Sequence, residues 1–130
     1  MSQQVGIVIV SHSRKLATGL VDMIRQMVDE STPVLAVGGN PDGGLGTDAD
    51  CLEAAVEKAD RGHGVVVLGD LGSSILATRV IIEAHANPDL VLADAPLVEG
   101  SIAAAVTAST GATLAEVLAA AEGARDVRKF

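Results

Sequence analysis

Four short, unbroken apolar segments constrain the fold of this chain more than any other feature of its sequence. They occupy residues 5–10, 33–37, 64–68 and 90–93, and apolar segments without alternation are typical of strands covered on both faces. Helical patterns separate them, and strands that alternate with helices pair in parallel through right-handed crossovers. We expect an open, mostly parallel α/β sheet of four strands, in the order 2-1-3-4, with helices on both faces.

Each segment between the strands predicts a helix with one apolar face. The positions on these faces are, in chain order, Leu16, Leu20, Met23, Ile24, Met27 and Val28, then Leu52, Ala55, Val56 and Ala59, then Ile75, Val80, Ile81 and Ala84. Gly62 is expected to end the second helix. Two alanine-rich helices at about residues 98–109 and 113–122 follow, and Thr113 and Glu116 have the spacing of a capping box.

Composition limits what such a sheet can bind. The apolar residues are mainly Ala, Val, Leu and Ile, and Phe130 is the only aromatic residue among 130, so bases or flavins cannot stack on aromatic rings. The formal net charge of −8 repels phosphate backbones and anionic lipids. We therefore expect neither nucleic acid nor a membrane as a partner.

The same features indicate a single cytoplasmic domain over residues 1–130. No apolar segment approaches the ~20 residues of a membrane span, and the polar start does not resemble a signal peptide. The one cysteine, Cys51, cannot form an internal disulfide, which fits a reducing compartment. Because it precedes Leu52 in a predicted helix, we expect a buried structural thiol.

The expected strand order predicts where chemistry can occur. Ligands of open parallel sheets bind outside the carboxyl ends of the strands, where the strand order reverses. That point lies between the first and third strands, which lead into Ser11-His12-Ser13 and into Asp70-Leu71-Gly72-Ser73-Ser74. Both segments precede helices, whose starts offer unpaired N–H groups and the positive end of a dipole. The sequence therefore predicts an anion site that contains a histidine.

His12 and Asp70 are the candidate catalytic pair at this site. A neutral imidazole keeps one unprotonated nitrogen that can accept a phosphoryl group, and a carboxylate can orient the other nitrogen. The alternatives are a structural histidine and an aspartate that caps a helix. Gly72, Ser73 and Ser74 would bind phosphoryl oxygens, although Ser74 could equally be an ordinary helix cap.

The remaining candidates are weaker. Thr47 follows the glycine-rich residues 38–46, which could overhang the site, but Thr47 could instead cap the next helix. His63 and His85 are expected to be incidental. No spacing around His12, Asp70 and Asp94 resembles a metal-ligand set. The glycine-rich loop is not a Walker phosphate loop, because no Gly-Lys-Ser/Thr follows it. We expect no bound cofactor, only a phosphoryl group carried on His12.

Four segments, taken together and in order, resemble a known family. They are Ile-Val-Ser-His-Ser at 9–13, Gly-Thr-Asp at 46–48, Asp-Leu-Gly-Ser-Ser at 70–74 and Ala-Pro-Leu-Val-Glu-Gly at 95–100. This set is similar to the DhaM family, the phosphotransfer subunits of dihydroxyacetone kinase, which are built like the mannose-type enzyme IIA of sugar phosphotransferase systems. The resemblance covers about residues 5–122.

The resemblance implies a phosphohistidine carrier. HPr, charged by enzyme I from phosphoenolpyruvate, would phosphorylate His12, with Nε2 as the suggested atom. The carrier would then rephosphorylate ADP on the kinase L subunit, while the K subunit holds dihydroxyacetone. Asp70 would stabilise the imidazolium, and amides from Ser13 onward, with Thr47 and residues 72–74, would bind the phosphoryl group. The alanine-rich C-terminal helices would form a homodimer. Since the sequence ends at Phe130, HPr and enzyme I are expected to be separate proteins.

Three other functions stay open from the sequence. The chain could be the enzyme IIA component of a mannose-family sugar transporter, although that group usually has Gly-Gly-Ser-Pro where this sequence has Leu71-Gly72-Ser73-Ser74. It could be a regulatory module that is phosphorylated on His12 without onward transfer. It could also be an interaction domain in which His12 is never phosphorylated.

Overall fold

The computed structural model of this protein describes residues 4–40, 42, 44 and 47–130. The elements are, in chain order, β1 (Gly6–Ser11), α1 (Arg14–Ile24), β2 (Val34–Gly38), α2 (Ala49–Ala59), β3 (Val65–Gly69), α3 (Gly72–His85), β4 (Leu90–Leu92), α4 (Leu97–Ser109), α5 (Leu114–Gly123) and a short 3-10 turn (Ala124–Asp126). The expected alternation of strands and helices is confirmed, since each observed strand boundary lies within one residue of the predicted one.

The four strands form one parallel sheet in the order β2-β1-β3-β4, as predicted. β1 lies at the centre, with Ile7 opposite Val34 of β2 and Val10 opposite Gly69 of β3. The chain leaves β1 toward β2 on one side and later returns to β3 on the other. The strand order therefore reverses between β1 and β3, and their carboxyl ends open a crevice there.

Both faces of the sheet are covered because successive side chains of each strand point to opposite sides. Ile7 and Ile9 pack with α1, α4 and α5, whereas Val8 and Val10 pack with α2 and α3. β3 divides its residues in the same way. This two-sided burial is the reason that the strands appear in the sequence as unbroken apolar segments.

Side-chain caps fix the starts of three helices. Ser13 caps α1 by accepting the N–H of Leu16, and Asp48 caps α2 by accepting the N–H of Cys51. Thr113 begins α5 with the predicted capping box, in which its hydroxyl and the Glu116 carboxylate each bond the other residue's backbone N–H. α1 therefore starts immediately beyond the end of β1, which fixes the position of the intervening His12.

The predicted apolar faces of α1 and α3 are partly wrong. The buried stripe after β1 contains Ala17, Leu20, Ile24 and Val28, while Leu16, Met23 and Met27 are exposed. α1 ends at Ile24, and the side chain of Arg25 then bonds the carbonyl oxygens of Asp29 and Thr32. The expected face of α3 fails at Val80 and Ala84, which are exposed, because α3 turns Ser74, Thr78 and Ile81 inward.

Two further expectations about α2 are wrong. Cys51 is exposed rather than buried, because the first turn of α2 directs the neighbouring Leu52 into the core. Gly62 does not end the helix, which stops at Ala59. Instead, Gly62 adopts a φ of 88° in the turn that leads to β3, where its N–H bonds the carboxylate of Asp60 at 2.8 Å.

Gly38 offers a test of how tightly the end of β2 fits against the start of α1. A Cβ atom at this position would lie 2.7 Å from the carbonyl oxygen of Ser13 and 2.8 Å from the Cα of Arg14. Because both contacts are with backbone, we expect Gly38→Ala to lower the free energy of unfolding by about 1–3 kcal/mol. Gly123→Ala is the matched control, because a Cβ there meets no atom within 4 Å. Equal stability of the two variants in urea unfolding would contradict this packing.

Candidate functional site: a carboxylate-bound histidine between two helix starts

The ends of β1 and β3 bring His12 and Asp70 together. His12 directly follows β1 and Asp70 directly follows β3. The N–H of Asp70 donates to the carbonyl oxygen of Val10 at 3.1 Å, which extends the parallel ladder by one bond. That bond holds Asp70 beside the turn between β1 and α1, so its side chain reaches His12.

The Asp70 carboxylate accepts hydrogen bonds on both oxygens. Oδ2 accepts the hydroxyl of Ser11 at 2.8 Å and the backbone N–H of His12 at 3.0 Å. Oδ1 accepts the N–H of Leu71 at 2.7 Å and the hydroxyl of Ser74 at 2.9 Å. Oδ1 also lies 3.0 Å from Nδ1 of the His12 ring. The carboxylate is thus fixed in position and in rotation.

These bonds keep Asp70 ionised. Burial by itself raises the pKa of this carboxyl, since its side chain is only 11% exposed. The backbone N–H of His12, the hydroxyls of Ser11 and Ser74 and the imidazole together outweigh burial and hold the pKa of Asp70 well below its ordinary value. A negative charge therefore stands behind the imidazole at neutral pH.

The ionised carboxylate determines the tautomer of His12. A carboxylate only accepts hydrogen bonds, so Nδ1 must carry the proton that it shares with Asp70. Nε2 is then left with its lone pair in the neutral ring, and the hydroxyl of Ser73 bonds it. The His12 side chain is 28% exposed. The arrangement presents one nucleophilic nitrogen to solvent and fixes the other.

Ser74 and Thr47 form a chain of hydroxyl hydrogen bonds that leads to the Asp70 carboxylate behind the imidazole. The buried hydroxyl of Ser74 donates to Asp70, so it accepts from Thr47 at 3.1 Å. It also lies 3.4 Å from Nδ1 of His12. The alternative of Thr47 as a helix cap is wrong, since Asp48 caps α2, and Ser74 is the third residue of α3 rather than its cap.

The other predicted phosphate-binding residues differ in how available their donor groups are to a phosphoryl group on Nε2. Gly72 and Ser73 begin α3 and are exposed, and the N-cap residue Leu71 has no side-chain acceptor for their N–H groups. Ser13 is already engaged, because its N–H donates to Ser11 and its hydroxyl accepts the N–H of Leu16. The start of α3 is therefore the more available donor group, and a contact from Ser13 stays a prediction.

Ser11 also contributes to the site, although no role was predicted for it from the sequence. Its buried hydroxyl donates to Oδ2 of Asp70 and accepts the N–H of Ser13. A polar side chain as the last residue of a fully buried strand was the available signal. Part of the glycine-rich loop, namely Pro41, Gly43, Leu45 and Gly46, lies outside the described residues.

The remaining candidates lie apart from this pair. His63 stands in the turn before β3, at the other end of the strand from Asp70. His85 ends α3 and lies 3.2 Å from a carboxylate oxygen of Glu53. Asp94 pairs with Arg125 at 3.1 Å. Within the described part of the chain, no three His, Cys, Asp or Glu side chains could together hold a metal ion.

No helix among the described residues is long and apolar enough to cross a membrane.

The fold and the site define a class of protein: an α/β domain that presents a carboxylate-bound histidine at the switch point of a parallel sheet. Comparison with protein families agrees with that class. Residues 6–118 match the EIIA-man family, described as the PTS system fructose IIA component.

Curated relatives identify the branch of the family. A DhaM phosphoryl donor subunit of PEP-dependent dihydroxyacetone kinase 2 from Listeria innocua is 36% identical over 105 residues, which cover 78% of this chain and 84% of the relative. The DhaM phosphotransferase subunit of PTS-dependent dihydroxyacetone kinase from Lactococcus lactis is 34% identical over 108 residues, which cover 83% of this chain and 85% of the relative. The Escherichia coli subunit is also 36% identical over 88% of this chain, but this chain spans only 25% of its length.

Solved structures support the fold. EF1359, a protein of unknown function, superposes with a TM-score of 0.81 at 33% identity, with 92% of this chain and 94% of that chain covered. An EIIA component from Streptococcus agalactiae, with a TM-score of 0.72, 11% identity and 97% of each chain covered, shares the fold. The chain belongs to the EIIA-man family and, within it, to the DhaM phosphoryl donor subunits.

The charge on Asp70 predicts a specific pH dependence of stability. Because the pKa of Asp70 is lower in the folded state than its ordinary value of about 3.9, its stabilising contribution is present above about pH 4 and is lost as the pH falls through the folded-state pKa. We expect Asp70→Asn to be about 2 kcal/mol less stable than wild type near pH 7, and this difference should shrink below about pH 4.

Urea unfolding at several pH values measures this difference. Asp22→Asn is the control, because it removes the same charge from an exposed position on α1. A stability difference for Asp70→Asn that is constant from pH 7 to pH 3 would show that the charge of Asp70 contributes nothing.

Proposed function

We propose that this chain carries a phosphoryl group on Nε2 of His12, accepts it from HPr and passes it to ADP bound on the L subunit of dihydroxyacetone kinase. It would thus be a component of a phosphoenolpyruvate–glycerone phosphotransferase. The observation that carries the proposal is the pairing of Nδ1 with the ionised Asp70, which leaves Nε2 as an accessible nucleophile. The DhaM relatives support it, since their names describe a phosphoryl donor subunit and a phosphotransferase subunit of dihydroxyacetone kinase.

The accepting step needs no proton transfer at His12. The lone pair of Nε2 attacks phosphorus, the N–P bond forms, and the bond from phosphorus to the donor's leaving atom breaks with its electron pair. The ring then holds the phosphoryl group on Nε2 and its original proton on Nδ1, so it becomes a cation. Asp70 lies 3.0 Å from that proton and stabilises the charge.

The donating step reverses this change. An oxygen of the β-phosphate of ADP attacks phosphorus, the N–P bond breaks, and its electron pair returns to Nε2. The ring is again neutral, with the proton still on Nδ1. Because Asp70 stabilises the cation without removing its proton, the phosphoryl group stays transferable. Catalysis in both directions rests on position and electrostatics, as in other phosphoryl transfers.

Phosphoryl oxygens would be bound mainly by the start of α3. The N–H groups of Gly72 and Ser73 stand at the positive end of the helix dipole. The Ser73 hydroxyl, which bonds Nε2 in the unmodified protein, must rotate away when the nitrogen is phosphorylated, and it then becomes a donor to an oxygen. Ser74 and Thr47, with hydroxyls behind the ring, would orient Asp70 more than bind phosphate.

The proposal includes the partners that this reaction requires. HPr would supply the phosphoryl group, the L subunit would receive it, and the K subunit would hold dihydroxyacetone without contact with His12. We also propose that the reaction is cytoplasmic and that residues 1–130 act as one domain without a bound cofactor. The homodimer would form through α4 and α5. An apolar groove between these helices is lined by Ile102, Ala103, Ala119 and Ala120.

The direct test is intact mass after incubation with phosphoenolpyruvate, enzyme I and HPr. We expect one acid-labile phosphate on the wild type and none on His12→Ala, because Nε2 of His12 is the accepting atom. His63→Ala and His85→Ala are matched controls and should carry the phosphate as the wild type does. Wild-type protein that stays unmodified beside demonstrably phosphorylated HPr would contradict the proposal.

A second stage separates the kinase role from the sugar-transporter and regulatory alternatives. Phosphorylated protein, freed of the donor, is mixed with ADP-loaded L subunit, and we expect ATP to form as the phosphate leaves. Retention of the phosphate with this acceptor, but its loss to a mannose-family transporter component, would favour the transporter role. Retention with both acceptors would favour a regulatory module.

A further inference from the structure

One oxygen of the Asp70 carboxylate accepts from more donors than it has lone pairs. Oδ1 lies 2.7 Å from the backbone nitrogen of Leu71, 2.9 Å from the hydroxyl of Ser74 and 3.0 Å from Nδ1 of His12. An ionised carboxylate offers about two lone-pair sites on each oxygen. The three donors therefore compete for Oδ1, and the contact with Nδ1 is the longest of the three.

Ser74 is the competing donor that a side chain supplies, and Thr47 strengthens it. The Ser74 hydroxyl is fully buried, so it donates to Asp70 without competition from solvent. Its oxygen accepts the hydroxyl of Thr47 at 3.1 Å, and hydrogen bonds in such a chain polarise one another. Thr47 is itself fixed, because its backbone forms a parallel bridge with Gly39 beyond the end of β2. We call the hydroxyls of Thr47 and Ser74 the hydroxyl relay.

We propose that the hydroxyl relay weakens the hydrogen bond between Asp70 and the Nδ1 proton, and thereby sets how readily His12 gives up its phosphoryl group. This inference rests on the proposed function. It assigns the relay a role beyond the orientation of Asp70, namely control over the balance between the phosphorylated and the free carrier. Thr47 and Ser74 act through the carboxylate and are therefore positioning residues rather than catalytic ones.

The effect follows from how charge is shared at Oδ1. A donor bonded to a carboxylate stabilises its charge and lowers its basicity, and the Ser74 hydroxyl is one of the groups that lower the pKa of Asp70. A less basic Oδ1 bonds the Nδ1 proton more weakly, so it stabilises the phosphorylated, cationic ring less. In the donating step the N–P bond breaks, its electron pair returns to Nε2 and the proton stays on Nδ1. A less stabilised cation makes that step easier.

A role limited to orientation predicts the opposite result. If Ser74 only kept the carboxylate in place, its loss would let Asp70 turn away from Nδ1, and the phosphorylated ring would be stabilised less. The other contacts of the carboxylate argue for the first result. Without Ser74, Oδ2 keeps the hydroxyl of Ser11 and the N–H of His12, and Oδ1 keeps the N–H of Leu71. Asp70 therefore stays in position and bonds Nδ1 more strongly.

Three variants separate the relay from the packing of α3. Ser74→Ala removes the hydroxyl that donates to Asp70, and Thr47→Val removes only the contact that polarises it. Thr78→Val is the matched control, because the buried Thr78 hydroxyl on the same face of α3 bonds the carbonyl oxygen of Ser74 at 2.8 Å instead of Asp70. Proton NMR of the unmodified proteins then compares the Nδ1 proton of His12, whose resonance moves downfield as its hydrogen bond strengthens. We expect a downfield shift for Ser74→Ala, a smaller one for Thr47→Val and none for the control.

The balance of phosphorylation measures the consequence. Each variant is mixed with phosphorylated HPr, and intact mass gives the equilibrium ratio of phosphate on the two proteins. For Ser74→Ala we expect this ratio to move about threefold toward the carrier, as for one strengthened hydrogen bond to a charged group. Thr47→Val should move it less, in the same direction. Transfer from the Ser74→Ala carrier to ADP-loaded L subunit should be slower, and the control should match the wild type.

Three results would overturn the proposal. The first is an upfield shift of the Nδ1 proton in Ser74→Ala with an equilibrium moved toward HPr, which would leave Ser74 an orienting role only. The second is an unchanged resonance and equilibrium in that variant. The third is a change in Ser74→Ala with none in Thr47→Val, which would break the relay. Wild-type protein that takes no phosphate from HPr would instead contradict the proposed function, and the NMR comparison, which needs no partner, would still decide whether the relay acts on the Nδ1 proton.

Discussion

The site depends on one carboxylate held in one orientation. Asp70 lies at the end of β3 because its own N–H extends the ladder to β1, and its two oxygens accept bonds from the turns after both strands. Those bonds keep it ionised, and the charge fixes the proton of His12 on Nδ1. The nucleophilic character of Nε2 is thus a consequence of parallel pairing between two neighbouring strands.

The sequence predicted the parts of the structure that depend on strong local signals. Unbroken apolar segments predicted the four strands. Polar residues between the ends of the two central strands and the following helices predicted that His12 and Asp70 lie together. It did not predict the side of a helix that faces the core. Leu16 and Met23 beside the buried stripe of α1 satisfy the same periodicity as Leu20, and only the packing against β1 and β2 decides between them. The contacts of Ser11 with Asp70 and of Thr47 with Ser74 could not be predicted for a similar reason. The role of a hydroxyl depends on partners that are distant in sequence.

The face that α3 turns toward the sheet connects the chemistry of the site with the packing of the helix. Ser74 faces inward because the Asp70 carboxylate requires its hydroxyl, and that choice of face directs Leu76 and Val80 outward. The same rotation of the helix therefore holds Asp70 against the imidazole and leaves Leu76 and Val80 exposed.

The central claim is that Asp70 holds the proton on Nδ1 so that Nε2 carries the phosphoryl group. Nitrogen-15 NMR of the His12 ring, before and after phosphorylation, tests it most directly. We expect the neutral form of the ring to carry its proton on Nδ1 in the unmodified protein, and afterwards a coupling between phosphorus and Nε2 with the Nδ1 proton retained. A neutral ring whose proton lies on Nε2 before the reaction, or phosphorus bound to Nδ1 after it, would contradict the account.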